Sequence, residues 1–337
     1  MRRAGAYILG CSGPALTAAE RQFFAQANPL GFILFARNVR DPSQLRALTE
    51  SLRAAVGRAA PILIDQEGGR VQRLTAPHWR QWAAAADQIA TVGPENAARS
   101  MYLRSRLIAR ELNWAGIDVN CAPLGDLARP ETHNVLKNRC YGSDPATVAR
   151  IARAVADGLL HGGVLPVLKH IPGHGRATVD SHLDLPRVKT PLSQLETTDF
   201  AVFRALSDLP LGMTAHVIYE ALDGGAPVTT SGEAIIYIRR AMGFQGFLMT
   251  DDISMQALSG SIAARCVASI RAGCDAVLHC NGKLAEMEEV AEASGTLTEK
   301  AAARASRALA RRRPPVPGEV SALVTELDAL LGKRRDA

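Results

Sequence analysis

Hydrophobic and polar positions along this chain alternate in blocks. Apolar runs occupy 6–10 (AYILG), 31–36 (GFILFA), 61–65 (PILID), 117–122 (IDVNCA), 164–170 (VLPVLKH), 210–216 (PLGMTAH), 246–251 (GFLMTD) and 276–281 (AVLHCN). Each is followed by a polar or glycine-rich break and then a segment with helical spacing. The runs are mostly continuous rather than alternating, the pattern of strands buried on both faces in a parallel sheet. Thr17-x-x-Glu20 and Thr230-x-x-Glu233 have the form of capping boxes that open helices. After Ser143-Asp144-Pro145, apolar residues at Val148, Ile151, Ala152, Val155 and Leu159 mark one helix face, and Gly162-Gly163 supplies a stop. Glycine recurs between helix and run at Gly31, Gly116, Gly163, Gly246 and Gly273. Eight strands alternating with helices predict an α/β fold, a single-domain (β/α)8 TIM barrel with a helical C-terminal tail. A doubly wound open sheet is the alternative, but no GxGxxG follows the first run. The barrel is expected over 1–285. Residues 286–337 are expected to form a helical extension packed on or trailing from it, punctuated by RRRPPVPGE at 311–319.

Barrel enzymes place their chemistry at the C-terminal ends of the strands. Polar groups stand there in this chain almost without exception. Arg37-Asn38 follow the second run, and Asp65-Gln66-Glu67-Gly68-Gly69-Arg70 the third. Asn138-Arg139 lie in the loop after the fourth. Lys169-His170 close the fifth, His216 the sixth, Asp251-Asp252 the seventh and Asn281 the eighth. The expectation is a mouth that binds a polyhydroxylated ligand.

Composition narrows the classes. With 337 residues, 47% apolar and 21% charged, the chain has a soluble globular balance able to bury a sizeable core. Its net charge of +6 is concentrated in RASRALARRR and GKRRDA near the C-terminus. No groove-reading motif or aromatic-interleaved basic stripe accompanies it, so no nucleic-acid partner is expected, and the tail reads as solvent-exposed helix faces beside the barrel. No run approaches the ~18 apolar residues of a membrane span, so no membrane partner is expected. The opening MRRAGAYILGCSG imitates a lipoprotein leader, but its apolar run is too short and reads as a first strand. Six cysteines at 11, 121, 140, 266, 274 and 280 form no CxxC pair, which fits thiols in a reducing compartment. A cytoplasmic monomer or weak dimer is the expectation.

One stretch is unusually rich in chemistry. LKHIPGHGRATVDSHLDLP, 168–186, holds His170, His174 and His182. His170 and His174 have the spacing of two zinc ligands on a helix, but Pro172-Gly173 between them argue against a helix. A metal site remains an alternative. Asp180-Ser181-His182 is better read as an acid/base pair, in which the carboxylate fixes the imidazole tautomer and raises its pKa. In the extended Thr250-Asp251-Asp252 only one carboxylate can face the barrel axis at a given depth. That one is a candidate nucleophile, and the other a cap or loop holder. His78-Trp79-Arg80-Gln81-Trp82 reads as local packing in preference to the floor of a subsite.

IDQEGGRVQRL, DVNCAPLGDL, NRCYGSDP, LKHIPGHG with DSHLDLP, MTDDISM and AGCDAVLHCN occur in this order. Over roughly residues 5–282 the chain resembles the family-three glycoside hydrolases, more narrowly their cytoplasmic β-N-acetylglucosaminidases. The resemblance implies a retaining exo-enzyme that removes terminal β-linked N-acetylglucosamine (GlcNAc) from muropeptides in cell-wall recycling. It also implies Asp251 as nucleophile, His182 as acid/base and Asp180 as its dyad partner. Sugar hydroxyls would be held by Asp65, Arg139, Lys169 and His170, with His216 placed near the same pocket. The partner is thus a small-molecule glycan, and neither cofactor nor metal is called for. Inorganic phosphate stays open as an acceptor in place of water, since a neutral imidazole base does not repel an anion. Three rivals stay open as well. They are a metal-dependent barrel hydrolase, a silent sugar-binding protein, and participation by the substrate's own acetamido group.

Overall fold

The computed structural model describes residues 3–177 and 185–332. Eight parallel strands close a barrel: β1 (Gly5–Leu9), β2 (Pro29–Leu34), β3 (Ile62–Ile64), β4 (Val119–Asn120), β5 (Leu165–Ile171), β6 (Leu211–Thr214), β7 (Phe247–Asp252) and β8 (Ala276–His279). Each pairs with its neighbours in the chain, and β8 returns to β1 through Tyr7–Val277, Ile8–Leu278 and Leu9–His279. All eight expected runs are strands of this barrel.

The helices that follow the strands are α1 (Ala18–Ala27), α2 (Pro42–Val56), α3 (Ala97–Trp114), α4 (Pro145–His161), α5 (Asp199–Ala205), α6 (Gly232–Arg240), α7 (Ile262–Ala272) and α8 (Leu284–Ser294). Two more, α9 (Glu299–Leu309) and α10 (Val320–Leu330), complete the described chain. α4 buries Val148, Ile151, Ala152, Val155 and Leu159, the face read from the sequence, and its N-cap is Asp144. The first capping box is formed, with Glu20 N–H on Thr17 Oγ1 and Thr17 N–H on Glu20 Oε2. The second is displaced by one residue. Thr230 ends a preceding 3-10 turn, so Ser231 caps α6 instead, accepting the Ala234 N–H at 3.1 Å.

The barrel interior is filled by Ile8, Leu63, Val167, Met249 and their neighbours, and α9 closes its floor. Leu297, Ala301, Ala305 and Ala308, spaced on one helix face, join that interior cluster. Three alanines in this stripe let the helix axis approach the strand ends closely. The segment before α9 is sewn to β1 by Ala6 N–H to Gly295 O (2.9 Å) and Leu297 N–H to Ala4 O (3.0 Å).

Two buried carboxylates anchor the floor. Asp118, just before β4, accepts from the Ile62 N–H and pairs with Arg53 (2.6 Å) and Arg312 (2.8 Å). Asp275, just before β8, accepts from the Leu248 N–H and pairs with Arg239 (2.7 Å) and Arg304 (2.8 Å). Each carboxylate thus takes one arginine from a barrel helix and one from the tail. The expectation of a merely solvated basic tail is corrected on this point. Arg304 and the more exposed Arg312 pair with the floor carboxylates, whereas Arg307, Arg311 and Arg313 are exposed and make no ion pair among the described residues.

Glu111, on α3, carries a stability cost with a defined pH dependence. Its Oε1 accepts the Arg80 N–H at 3.2 Å, and its Oε2 is buried with no hydrogen-bond partner among the described residues. Burial, opposed by the Arg80 contacts, pushes the carboxyl up to about 7. The folded state therefore holds this proton more tightly than the unfolded chain. Stability linked to it is full below the ordinary glutamate range and is lost as pH rises towards 7. Glu111→Gln is expected to raise Tm at pH 8 by roughly 5 °C and to change it little at pH 4.5. Thermal unfolding at the two pH values checks this, and an equal shift at both would contradict it.

Candidate active site

The C-terminal mouth of the barrel holds a cavity lined by Asp65, Arg139, Lys169, His170 and Asp251. These residues come from four different strand ends. Apolar side chains, among them Ile33, Met213 and Leu278, form its deeper wall.

Asp251 stands near the end of β7. Its Oδ1 accepts the N–H of Asp252 at 2.8 Å, and its Oδ2 lies 4.0 Å from His170 Nε2. Burial works to raise its pKa, but His170, His216, the Asp252 N–H and Lys169 outweigh that and hold the carboxyl down to about 2. At neutral pH it is an anion. Asp252 has the other role expected of the pair: its carboxylate is taken by the N–H and Oγ of Ser254 and by the Cys280 N–H. Of the two, Asp251 keeps Oδ2 without a hydrogen bond from the described residues and lines the cavity.

On the opposite wall, charges alternate. Lys169 Nζ bridges Asp65 Oδ1 (2.8 Å) and Glu67 Oε1 (2.7 Å). Arg139 meets Glu67 through two parallel bonds of 2.9 and 2.8 Å, and Arg73 reaches Asp65 at 3.2 Å. Burial would raise Asp65 and Glu67, yet Lys169 and Arg73 hold the first below its ordinary value, and Arg139 and Lys169 hold the second well below it. Burial would lower Lys169, and Asp65 and Glu67 reverse that. A lattice of ionised, oriented donors and acceptors suits vicinal hydroxyls, which both donate and accept.

The structure thus brings together Asp65, Arg139, Lys169, His170 and Asp251. His216 requires a correction. It is fully buried, is absent from the cavity wall, and has both ring nitrogens engaged, Nδ1 with Thr229 Oγ1 (2.7 Å) and Nε2 with the Asp252 carbonyl (3.0 Å). It braces the strand that carries Asp251 and has no ring nitrogen left for a sugar hydroxyl. Asp180 and His182 lie outside the described residues.

Two buried acids went unselected from the sequence. Glu67 had a usable signal, since Asp65 and Glu67 are two apart and residues at that spacing share one side of an extended chain. Asp126 had none. It lies six residues beyond β4, where the chain runs on beside β5, with Leu124 bridging Lys169 and the Gly125 N–H bonded to the Lys169 carbonyl. That continuation sets Asp126 against His170. Trp79 and Trp82 are both buried, Trp82 between the guanidinium groups of Arg80 and Arg104, as packing requires. Among the described residues, no three His, Cys, Asp or Glu side chains are grouped to hold a metal ion, and no helix is long and apolar enough to cross a membrane.

A barrel whose mouth pairs an ionised aspartate with a lattice of charged donors and acceptors suits a glycosidase. The glycosyl hydrolase family 3 N-terminal domain model matches residues 9–311, and the chain belongs to that family. Several curated relatives it matches are β-hexosaminidases. The β-hexosaminidase of Alkalilimnicola ehrlichii is 40% identical over 82% of this chain and 81% of its own length. NagZ from Neisseria gonorrhoeae in complex with N-trifluoroacetyl-D-glucosamine superposes with a TM-score of 0.85. It is 31% identical and covers 98% of this chain and 96% of its own. The same relative in complex with a zinc ion gives a TM-score of 0.83 at 30% identity, over 98% and 97%.

Proposed function

We propose that the protein is a retaining exo-β-N-acetylglucosaminidase. It would release terminal β-linked GlcNAc from GlcNAc-1,6-anhydro-N-acetylmuramic acid peptides in cell-wall recycling. The observation that carries the reading is the ionised Asp251 carboxylate facing the Asp65–Lys169–Glu67–Arg139 lattice across one cavity.

In the first step, Asp251 Oδ2 attacks the anomeric carbon while His182 gives its proton to the departing glycosidic oxygen. A glycosyl ester forms, and the C–O bond to the leaving group breaks. In the second, His182 takes a proton from water, whose oxygen attacks the same carbon and expels Asp251. Asp180 orients and polarises His182 throughout. Asp65, Lys169 and Arg139 hold the sugar hydroxyls, and His170 lies beside the reacting centre.

The rim supports an anionic leaving group such as a peptide-bearing muramic acid. Arg37 and Arg73 lie 5.0 and 5.3 Å from the Phe35 ring centroid. Among the described residues, Arg37 donates to the carbonyls of Cys11 and Cys280 and Arg70 to that of Val135, and neither is paired with a carboxylate there.

Digestion of the purified disaccharide peptide, followed by proton NMR, tests the reading. The expected first product is the β-anomer of GlcNAc. An α-anomer would overturn the covalent mechanism, and cleavage of aryl glucosaminides without cleavage of the disaccharide would overturn the substrate. Running the reaction in phosphate separates free GlcNAc from GlcNAc-1-phosphate. The metal-dependent rival is tested in the same assay: exhaustive EDTA dialysis is expected to leave the rate unchanged, and a loss restored by zinc would favour that rival.

A further inference from the structure

We propose that Asp126 is a positioning residue for this reaction, acting through the imidazole of His170. The proposal rests on the reading of Asp251 as the reacting carboxylate. Asp126 is fully buried in the continuation of β4 and carries three bonds. Its Oδ2 lies 2.8 Å from His170 Nδ1, and its Oδ1 accepts the backbone N–H of His174 at 2.7 Å and that of His170 at 3.4 Å. Burial alone would raise its pKa, but His170 and the His174 contacts reverse this and keep it below the usual carboxylate range.

An ionised carboxylate only accepts hydrogen bonds, so the nitrogen facing it carries the proton. His170 therefore keeps Nδ1–H towards Asp126, which leaves Nε2 as the ring nitrogen that faces the cavity. Nε2 stands 4.0 Å from Asp251 Oδ2. At this separation the two share no direct hydrogen bond, and a substrate hydroxyl suits the gap between them. The tautomer bare at Nδ1 would set a lone pair against the Asp126 carboxylate and lose the bond that holds the ring beside Asp251. Asp126 selects against that tautomer from behind the ring, without touching the substrate. The same carboxylate pins the His174 backbone, so the root of the loop and the ring are held by one group.

The test is imidazole ¹⁵N NMR of the full chain combined with a double-mutant cycle. Wild type is expected to show His170 protonated at Nδ1. Asp126→Asn, whose amide both donates and accepts, is expected to give a mixed or reversed tautomer. Its kcat on an aryl β-N-acetylglucosaminide should fall on the order of 100-fold, with KM changed far less. In a His170→Gln background the same substitution should cost under about 3-fold, because its route of action is gone. Wild-type His170 bare at Nδ1 would overturn the proposal even if Asp126→Asn does not fold. Effects of Asp126→Asn and His170→Gln that simply multiply would also overturn it, leaving Asp126 a loop tie. Wild-type inactivity on the aryl glycoside would instead count against the glycosidase reading, while the tautomer measurement would still decide the role of Asp126.

Discussion

Replacing Asp251 with asparagine is expected to lower kcat for an aryl β-N-acetylglucosaminide by on the order of 10⁴-fold, about 5.5 kcal/mol of transition-state stabilisation. The amide keeps the shape of the side chain and an oxygen for the Asp252 N–H, so the fold has little reason to change. What disappears is the anion, which carries the covalent step. A folded-state pKa of about 2 adds a pH signature. A carboxylate held below its free value contributes stability above the ordinary aspartate range, and this is lost as pH falls towards 2. The asparagine variant should consequently be slightly less stable at pH 7 and converge with wild type near pH 2–3. For the same reason, an acid limb of kcat/KM between pH 4 and 6 belongs to a group other than Asp251.

A 2-deoxy-2-fluoro or 5-fluoro sugar should leave a mass adduct on the peptide containing Asp251 in wild type, and none in the variant. Undiminished turnover by Asp251→Asn would remove the assignment. Tight binding of an oxazoline-type inhibitor without any adduct would favour attack by the acetamido group, with Asp251 orienting it.

The barrel was legible because each strand is buried and so lies within a largely apolar run, although some runs outlast their strands, as 117–122 does Val119–Asn120. The strand-end rule then located Asp65, Arg139, Lys169, His170 and Asp251. His216 met the same rule and failed it in space, since the rule says that a residue is near the mouth and nothing of where its ring turns. Asp126 escaped because its role depends on one strand's continuation running beside another, a pairing no local pattern encodes. The floor lay between these extremes. Gly116-Ile117-Asp118-Val119 and Gly273-Cys274-Asp275-Ala276 share a Gly-x-Asp pattern before β4 and β8. Both glycines have positive φ, 77° and 111°. The turn needed to enter the strand explains the glycine, but only the structure shows that both aspartates wait for arginines more than 25 positions away.

That floor makes the tail indispensable, and a chain ending at residue 295 is expected not to yield a folded barrel. Removing α9 uncovers Leu30, Leu63, Val119, Leu211 and Phe247 at the base of the interior. Each such side chain contributes roughly 1.5–3 kcal/mol when buried, so a few of them rival the total stability of a domain. Removing Arg304 and Arg312 also leaves Asp118 and Asp275 with one guanidinium each at sites that are nearly closed to water. Asp275→Asn in the full chain separates the two contributions. It keeps α9 and an acceptor for the Leu248 N–H but strands Arg239 and Arg304 without their counter-charge. A loss of about 3 kcal/mol is expected, seen as a fall in Tm with kcat/KM unchanged at 25 °C, because the floor is at the opposite end of the strands from Asp251. A soluble, cooperatively unfolding truncated chain would show that the strands close without their plug. The stripe of Leu297, Ala301, Ala305 and Ala308 would then be a cover over a finished barrel, and the ion pairs would serve to hold the tail rather than the strands.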